Sequence, residues 1–346
     1  MYRASLRSLL HAVKRFEGAS NQVLQRPPQA TYTATAVSRT YPSPVSQRTM
    51  STLLKKNFKL GLIQLASGSD KQKNLAHARE KILEAAKAGA EVIVLPECFN
   101  SPYGCQYFPD YAERIQPSPP KEEDSPSWHM LSAAAKESNA YIVGASIPEL
   151  GSEPKEYYNT AFVFNPKGEL LATHRKVHLF DIDIPGKIKF IESDVLSPGN
   201  KVTIVDLPEY GKIGLAICYD VRFPELATIA ARKGAFMLVY PGAFNTTTGP
   251  MHWSLQAQAR AMDNQVYVAM CSPARDTKAT YHAWGHSMVV NPNAEVLTEL
   301  EDKEDIAYAD IDGAKIDETR KGIPLYTQRR FDVYPDVSAG KVRYEE

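Results

Sequence analysis

The sequence predicts an α/β fold with large sheets and helices packed outside them, and three observations carry that prediction. Short apolar runs alternate with helix-periodic segments from residue 57 to residue 331, hairpin signals interrupt the alternation twice, and no linker-like break divides it. A chain of 346 residues, 43% hydrophobic and 23% charged, is long enough to bury a full core as a single domain over 57–331.

The elements follow in order. Residues 59–66 form an apolar run of strand length, and 70–88 place Leu75, Ala78, Ile82, Leu83 and Ala86 at helical spacing before Gly89 closes the helix. Residues 91–96 are again strand-like. The proline- and acid-rich stretch 117–126 reads as a loop insertion, 126–138 as a helix and 140–147 as a strand. Residues 160–165 and 169–174 form a hairpin around Pro166-Lys167-Gly168. Strands are expected over 202–207 and 212–218, then a helix over 223–234 with Pro224 in its first turn and Gly234 at its end. A strand over 235–240, a helix over 251–263, a strand over 265–271 and a hairpin over 288–298 around Asn291-Pro292-Asn293 complete the pattern.

Both ends differ from this body. Residues 1–49 hold six arginines and one lysine against the single acid Glu17, are rich in serine and threonine, and place Leu6, Leu9, Leu10 and Val13 on one side of a possible helix. That composition is the signature of a mitochondrial transit peptide, with a disordered basic tail as the alternative. Met50 directly precedes the folded part, so a second start there would add a cytosolic form to a matrix form. Fluorescent fusions of both starts test this, and cytosolic localisation of both would reject it. Residues 332–346 are set apart as a C-terminal tail.

The formal net charge is zero and no basic stripe is interleaved with aromatics, so no nucleic-acid partner is expected. No apolar stretch reaches the length of a membrane span, and no membrane partner is predicted. The four cysteines, Cys98, Cys105, Cys218 and Cys271, form no C-x-x-C pair, which argues against a disulfide framework and a structural zinc site. The pairs His174/His178 and His282/His286 have metal-ligand spacing, but Gly285 interrupts the second and neither has a helical context; no metal is predicted.

Cys218 is the candidate nucleophile. It ends the apolar run Lys212-Ile213-Gly214-Leu215-Ala216-Ile217 and opens the turn-like Tyr219-Asp220-Val221-Arg222-Phe223-Pro224-Glu225, so a buried strand delivers a thiol to its carboxyl end. Backbone N–H groups and the helix that follows would lower its pKa. Two other strand ends carry ionisable groups: Glu97 after Val92-Ile93-Val94-Leu95-Pro96, and Lys176 in His174-Arg175-Lys176-Val177-His178-Leu179. A buried glutamate has a raised pKa and suits a general base, and a lysine can steady an oxyanion. Base, nucleophile and cation together are what acyl transfer by a thiol requires.

These three segments, in this order and spacing, resemble the carbon–nitrogen hydrolases of the nitrilase superfamily over about residues 59–331. The resemblance implies a four-layer α-β-β-α sandwich, a homodimer or higher homo-oligomer, and no cofactor. It assigns Glu97 as general base, Lys176 as stabiliser of the tetrahedral intermediate and Cys218 as nucleophile. A second catalytic glutamate of the family maps best to Glu149, with Glu153 and Glu156 in the same loop as alternatives. The segments 96–104, 240–245 and 283–287 resemble the branch that hydrolyses the terminal amide of dicarboxylic monoamides such as α-ketoglutaramate and α-ketosuccinamate. A sister branch acting on deaminated glutathione shares the triad. A non-catalytic scaffold with a redox-sensitive Cys218 is the reading from a different class. For a carboxylated amide, Arg222 could hold the distal carboxylate bidentately, with Tyr103 and Tyr219 as hydroxyl donors, or it could be an ion-pair partner of Asp220 or Glu225.

Overall fold

The computed structural model describes residues 53–330 and the backbone of a short strand at Tyr344–Glu345. The basic leader and the rest of the tail lie outside the described residues.

In chain order the elements are β1 (Phe58–Gln64), α1 (Lys71–Lys87), β2 (Val92–Leu95), α2 (Phe108–Tyr111), α3 (Pro126–Ser138), β3 (Tyr141–Leu150), β4 (Tyr157–Phe164) and β5 (Leu170–Arg175). Then come β6 (Asp181–Ile184), β7 (Ile188–Ile191), β8 (Val202–Leu207), β9 (Gly211–Leu215), α4 (Pro224–Arg232), β10 (Ala235–Pro241), α5 (Gly249–Asn264) and β11 (Tyr267–Cys271). The described part closes with β12 (Met288–Val290), β13 (Val296–Glu299), β14 (Asp305–Ile311), α6 (Gly313–Gly322), α7 (Leu325–Gln328) and β15 (Tyr344–Glu345). The expected strands and helices appear, most within a few residues of their predicted ends.

The local chemistry explains these elements. Asp70 caps α1, its carboxylate accepting from the Lys73 N–H, and Asn139 ends α3 in the left-handed conformation that asparagine tolerates. Pro126 and Pro224 stand in the first turns of α3 and α4, where the missing N–H costs nothing.

Two sheets result, one ordered β14-β1-β2-β3-β4-β5 and the other β13-β12-β11-β10-β9-β8-β15. Each has three parallel central strands, β1-β2-β3 and β9-β10-β11, with antiparallel neighbours on both sides. The sheets face each other through β3 and β10, β5 and β8, and β1 and β11. Helices α1 and α3 cover the first sheet, and α4 and α5 cover the second. This is the four-layer sandwich.

The period-2 alternation of strand side chains separates the layers. Leu60, Leu62, Val92 and Val94 join the core between the sheets, whereas their neighbours Ile63, Ile93 and Leu95 pack under α1 and α3 with Leu75, Ile82 and Leu131. Strands buried on both faces read as continuous apolar runs, which is why they stand out in the sequence.

Three functional positions lie just past strand ends: Glu97 after β2, Lys176 after β5 and Cys218 after β9. The first two belong to one sheet and the third to the other. The hairpin β6–β7, a separate two-stranded unit, leads into a 3-10 turn at Glu192–Asp194.

Candidate active site

The strand expected to run through to Cys218 ends at Leu215. Cys218 instead opens a 3-10 turn, Cys218–Arg222, and sits at φ 48°, in the left-handed region. For a non-glycine residue this costs on the order of 1–2 kcal/mol, which the surroundings must offset. They do so through Asp220, fully buried, whose carboxylate accepts from the Ile217 N–H at 2.9 Å on one side of the thiol. The same carboxylate accepts from the His178 N–H at 2.9 Å and meets the rings of His178 at 2.8 Å and His174 at 3.1 Å. Burial alone would raise Asp220, but the two histidines hold it well below the usual carboxylate range. One carboxylate thus ties the cysteine elbow to the lysine loop, and the His174/His178 spacing that suggests metal ligands serves this tie.

Glu97 and Lys176 are both fully buried. Lys176 Nζ donates to Glu97 Oε1 at 3.0 Å, and Asn159 Nδ2 donates to the same oxygen at 2.8 Å. The Ala243 N–H donates to Glu97 Oε2 at 2.7 Å, and the Cys218 thiol lies beside the Glu97 carboxylate. The lysine loop is held by its backbone: Lys176 N donates to Asn159 O at 2.8 Å, and Lys176 O accepts from Gly199 N at 2.7 Å.

The second glutamate on the lysine is Glu192, which the sequence analysis did not single out. Lys176 Nζ lies 2.9 Å from its Oε1 and 2.8 Å from its Oε2. The Tyr103 hydroxyl and the Phe180 N–H hold the same carboxylate at 2.7 and 2.8 Å. Glu149, expected in that role, is instead engaged by Arg175, whose Nη2 and Nε lie 2.6 and 2.9 Å away, and by the Thr160 hydroxyl. It touches none of Glu97, Lys176 or Cys218. The reason is strand direction: Glu149 pairs across β4 with Tyr158, on the flank of the sheet, whereas the β6–β7 hairpin carries Glu192 back to the lysine. Glu153 and Glu156 lie in the exposed loop beyond it and do not reach the lysine either.

The electrostatics follow from burial. Burial pushes Glu97 above the usual carboxylate range; Lys176 opposes that shift and Glu192 adds to it. Burial alone would lower the Lys176 ammonium, but Glu192 and Glu97 hold it well above its ordinary value. The Cys218 thiol is raised well above its ordinary range by burial and by the Glu97 charge, and Lys176 only partly compensates. The sequence predicts a lowered thiol pKa. The structure shows the opposite, because desolvation inside the sandwich outweighs the N–H groups of one short turn. Burial thus favours a neutral Cys218 thiol beside the Glu97 carboxylate.

A cavity of about 230 Å³ reaches Glu97 of this cluster and is lined also by Cys98, Tyr103, Tyr107, Pro273 and Tyr281. Tyr103 lines it as expected, but its hydroxyl is committed to Glu192, while its ring packs on Phe190 and Tyr281. The Tyr281 hydroxyl donates to the Ala243 carbonyl, the residue whose N–H holds Glu97. The Tyr219 ring packs against Phe180 and Phe223.

Arg222 is the informative departure. No carboxylate lies within ion-pair distance of it among the described residues: Asp220 is taken by the histidines, and Glu225 does not pair with it. Its guanidinium lies 4.8 Å from the Phe244 ring centre and 5.4 Å from that of Tyr219, and its buried Nε has no partner. Burial lowers its pKa, and the groups acting on it are Cys218, Tyr219 and Tyr281.

A buried glutamate, a lysine and a thiol past the strand ends of an α-β-β-α sandwich are the groups a thiol hydrolase of amide-like bonds needs. The carbon-nitrogen hydrolase family profile matches residues 59–321, and the chain belongs to that family. Among its relatives, the human omega-amidase NIT2 is 55% identical over 278 residues, covering 80% of this chain and 97% of that protein. A hydrolase of Schizosaccharomyces pombe is 58% identical over 280 residues, 81% of this chain and 84% of that one. The crystal structure of Saccharomyces cerevisiae Nit3, a member of branch 10 of the nitrilase superfamily, superposes with a TM-score of 0.74 at 47% identity, covering 81% of this chain and 98% of that one.

Proposed function

We propose that this chain is an omega-amidase, which hydrolyses the terminal amide of dicarboxylic monoamides such as α-ketoglutaramate and α-ketosuccinamate to the dicarboxylate and ammonia. The observation that carries the substrate class is Arg222: a half-buried guanidinium beside the nucleophile with no carboxylate of its own. A buried cation without a counter-ion is costly, and a carboxylate on the substrate removes that cost by a bidentate contact. Curated relatives bearing the name omega-amidase support the same reading.

The chemistry runs through Cys218. As the sulfur attacks the amide carbon, Glu97 takes the thiol proton, so the thiolate exists only during attack. The carbonyl oxygen becomes an oxyanion held by Lys176, whose raised pKa keeps it charged, and by the Tyr219 N–H. The intermediate collapses with cleavage of the carbon–nitrogen bond, and Glu97 returns its proton so that ammonia leaves. Water then attacks the thioester with Glu97 again as base, releasing the carboxylic acid and restoring the thiol. Glu192 fixes the ammonium throughout, and Tyr103 acts by fixing Glu192.

A homodimer belongs to this reading. It is supported by Met251, Leu255 and Met262, which are 50%, 64% and 53% exposed along α5.

Ammonia release from α-ketoglutaramate, measured beside deaminated glutathione, tests the assignment. The wild type turns over the keto-acid amide with the higher kcat/KM, and Cys218→Ala abolishes it. No turnover by the wild type, or a higher kcat/KM on deaminated glutathione, would overturn it.

A further inference from the structure

Arg222 is held from three sides. Arg260 fixes its backbone, donating to the Val221 and Arg222 carbonyls at 2.9 and 3.2 Å. Phe244 and Tyr219 flank the guanidinium. The third contact is to a side chain with no part in the chemistry above: Arg222 Nη1 lies 2.9 Å from Nδ1 of His252.

A guanidinium has only donors, so His252 Nδ1 must accept, which places the imidazole proton on Nε2 and leaves the ring neutral. Burial and the Arg222 charge both lower the His252 pKa, in keeping with that form. A neutral acceptor suits this position. A glutamate there would neutralise Arg222 and compete with a substrate carboxylate, whereas an apolar residue would leave Nη1 free to rotate the fork away. Imidazole holds one edge of the guanidinium and leaves its full charge to the ligand. His252 stands in the first turn of α5, half-exposed, so it is not required by the core.

We propose that His252 is a positioning residue for specificity: by accepting from Nη1 it orients Arg222 toward the substrate's distal carboxylate, and it thereby sets the enzyme's preference for carboxylated over uncharged amides. This rests on Arg222 being the carboxylate's partner, as proposed above.

The test compares succinamate with butyramide, in which a methyl group replaces the carboxylate. The readout is the ratio of kcat/KM for the two amides in the wild type, His252→Leu, His252→Asn, Arg222→Ala and the Arg222→Ala/His252→Leu double variant. The expected result is a ratio lowered about tenfold in His252→Leu, mainly through the KM for succinamate. His252→Asn, which keeps an acceptor, recovers most of the ratio. The double variant matches Arg222→Ala alone. A purely structural role would lower both substrates alike and leave the ratio unmoved, which overturns the proposal, as would additive effects in the double variant. The two readings separate cleanly. If Arg222→Ala lowers the ratio and His252→Leu does not, the positioning role fails while Arg222 keeps its assignment; if Arg222→Ala leaves it unchanged, that assignment fails first. Should His252→Leu not fold, His252→Phe and the double-variant comparison made with it decide the same question.

Discussion

At the scale of single residues, four fully or almost fully buried groups share one network, and its logic is proton custody. The two glutamates favour a charged Lys176, and burial favours a protonated thiol at Cys218, the proposed nucleophile. The pH dependence follows. Glu97, the proposed base, acts only when deprotonated, and burial raises its pKa, so kcat/KM should fall as pH drops through a value above the ordinary carboxylate range. Glu97→Gln should lower kcat by about 10²- to 10⁴-fold and remove this acid limb. A pH–rate profile of the variant that retained the limb would assign it to another group. Glu97 and Cys218 were legible because each follows an apolar run, where an ionisable residue is out of place, and Lys176 because it stands just past a hairpin strand in a segment that resembles the family's. Glu192 was not, because it lies in the acidic segment Glu192-Ser193-Asp194 and acquires its role only when a hairpin returns it to the lysine. Arg222 was legible as a cation near the thiol, but the emptiness around it was not, because Asp220 and Glu225 stand close by in sequence.

At the scale of elements, the loop after β10 serves three groups at once. Ala243 joins Glu97 and Tyr281, and Gly242 passes so close to the nucleophile that a Cβ there would sit 3.0 Å from Cys218 Cα and 3.4 Å from its Cβ. The obstructing atoms include backbone and cannot swing aside. Gly242→Ala should therefore displace the thiol by a few tenths of an ångström and lower kcat, by less than the roughly hundredfold loss that a shift of about 1 Å brings. Far-UV circular dichroism should remain that of the wild type; a variant with wild-type kcat would show that the elbow yields freely. The central strands, which the sequence revealed most plainly, are buried on both faces. The β6–β7 hairpin went unremarked because its strands are exposed and only four residues long, although Asp181-Ile182-Asp183-Ile184 alternates and Pro185-Gly186 is a turn signal, with Gly186 at φ 73°. β14 is one strand the reading passed over; it takes its place by pairing with β1, more than two hundred residues earlier in the chain.

At the scale of the whole molecule, each sheet repeats the same plan of three central parallel strands with antiparallel neighbours on both sides, and periodicity was enough to suggest large sheets with outer helices. The layering, by contrast, depends on which face each strand turns inward, which only the long-range pairing decides. The proposed dimer belongs to this scale. Leu255, 64% exposed at the centre of the α5 stripe, should be its most sensitive position. Leu255→Glu should shift the protein to monomer in light scattering after size exclusion, whereas an unchanged mass, or a monomeric wild type, would place the assembly elsewhere or exclude it.

The division of the proposed catalytic groups between the two sheets has a consequence for how the enzyme fails. Base and lysine ride on one slab and the sulfur on the other, so their spacing is a vernier of how the slabs are aligned. Heat or denaturant that lets the slabs slide by a fraction of an ångström, with every strand still paired, silences the enzyme while its helices and sheets persist. Ammonia production is in that sense the earliest alarm of a loosening fold, sounding before any spectroscopic measure of its architecture.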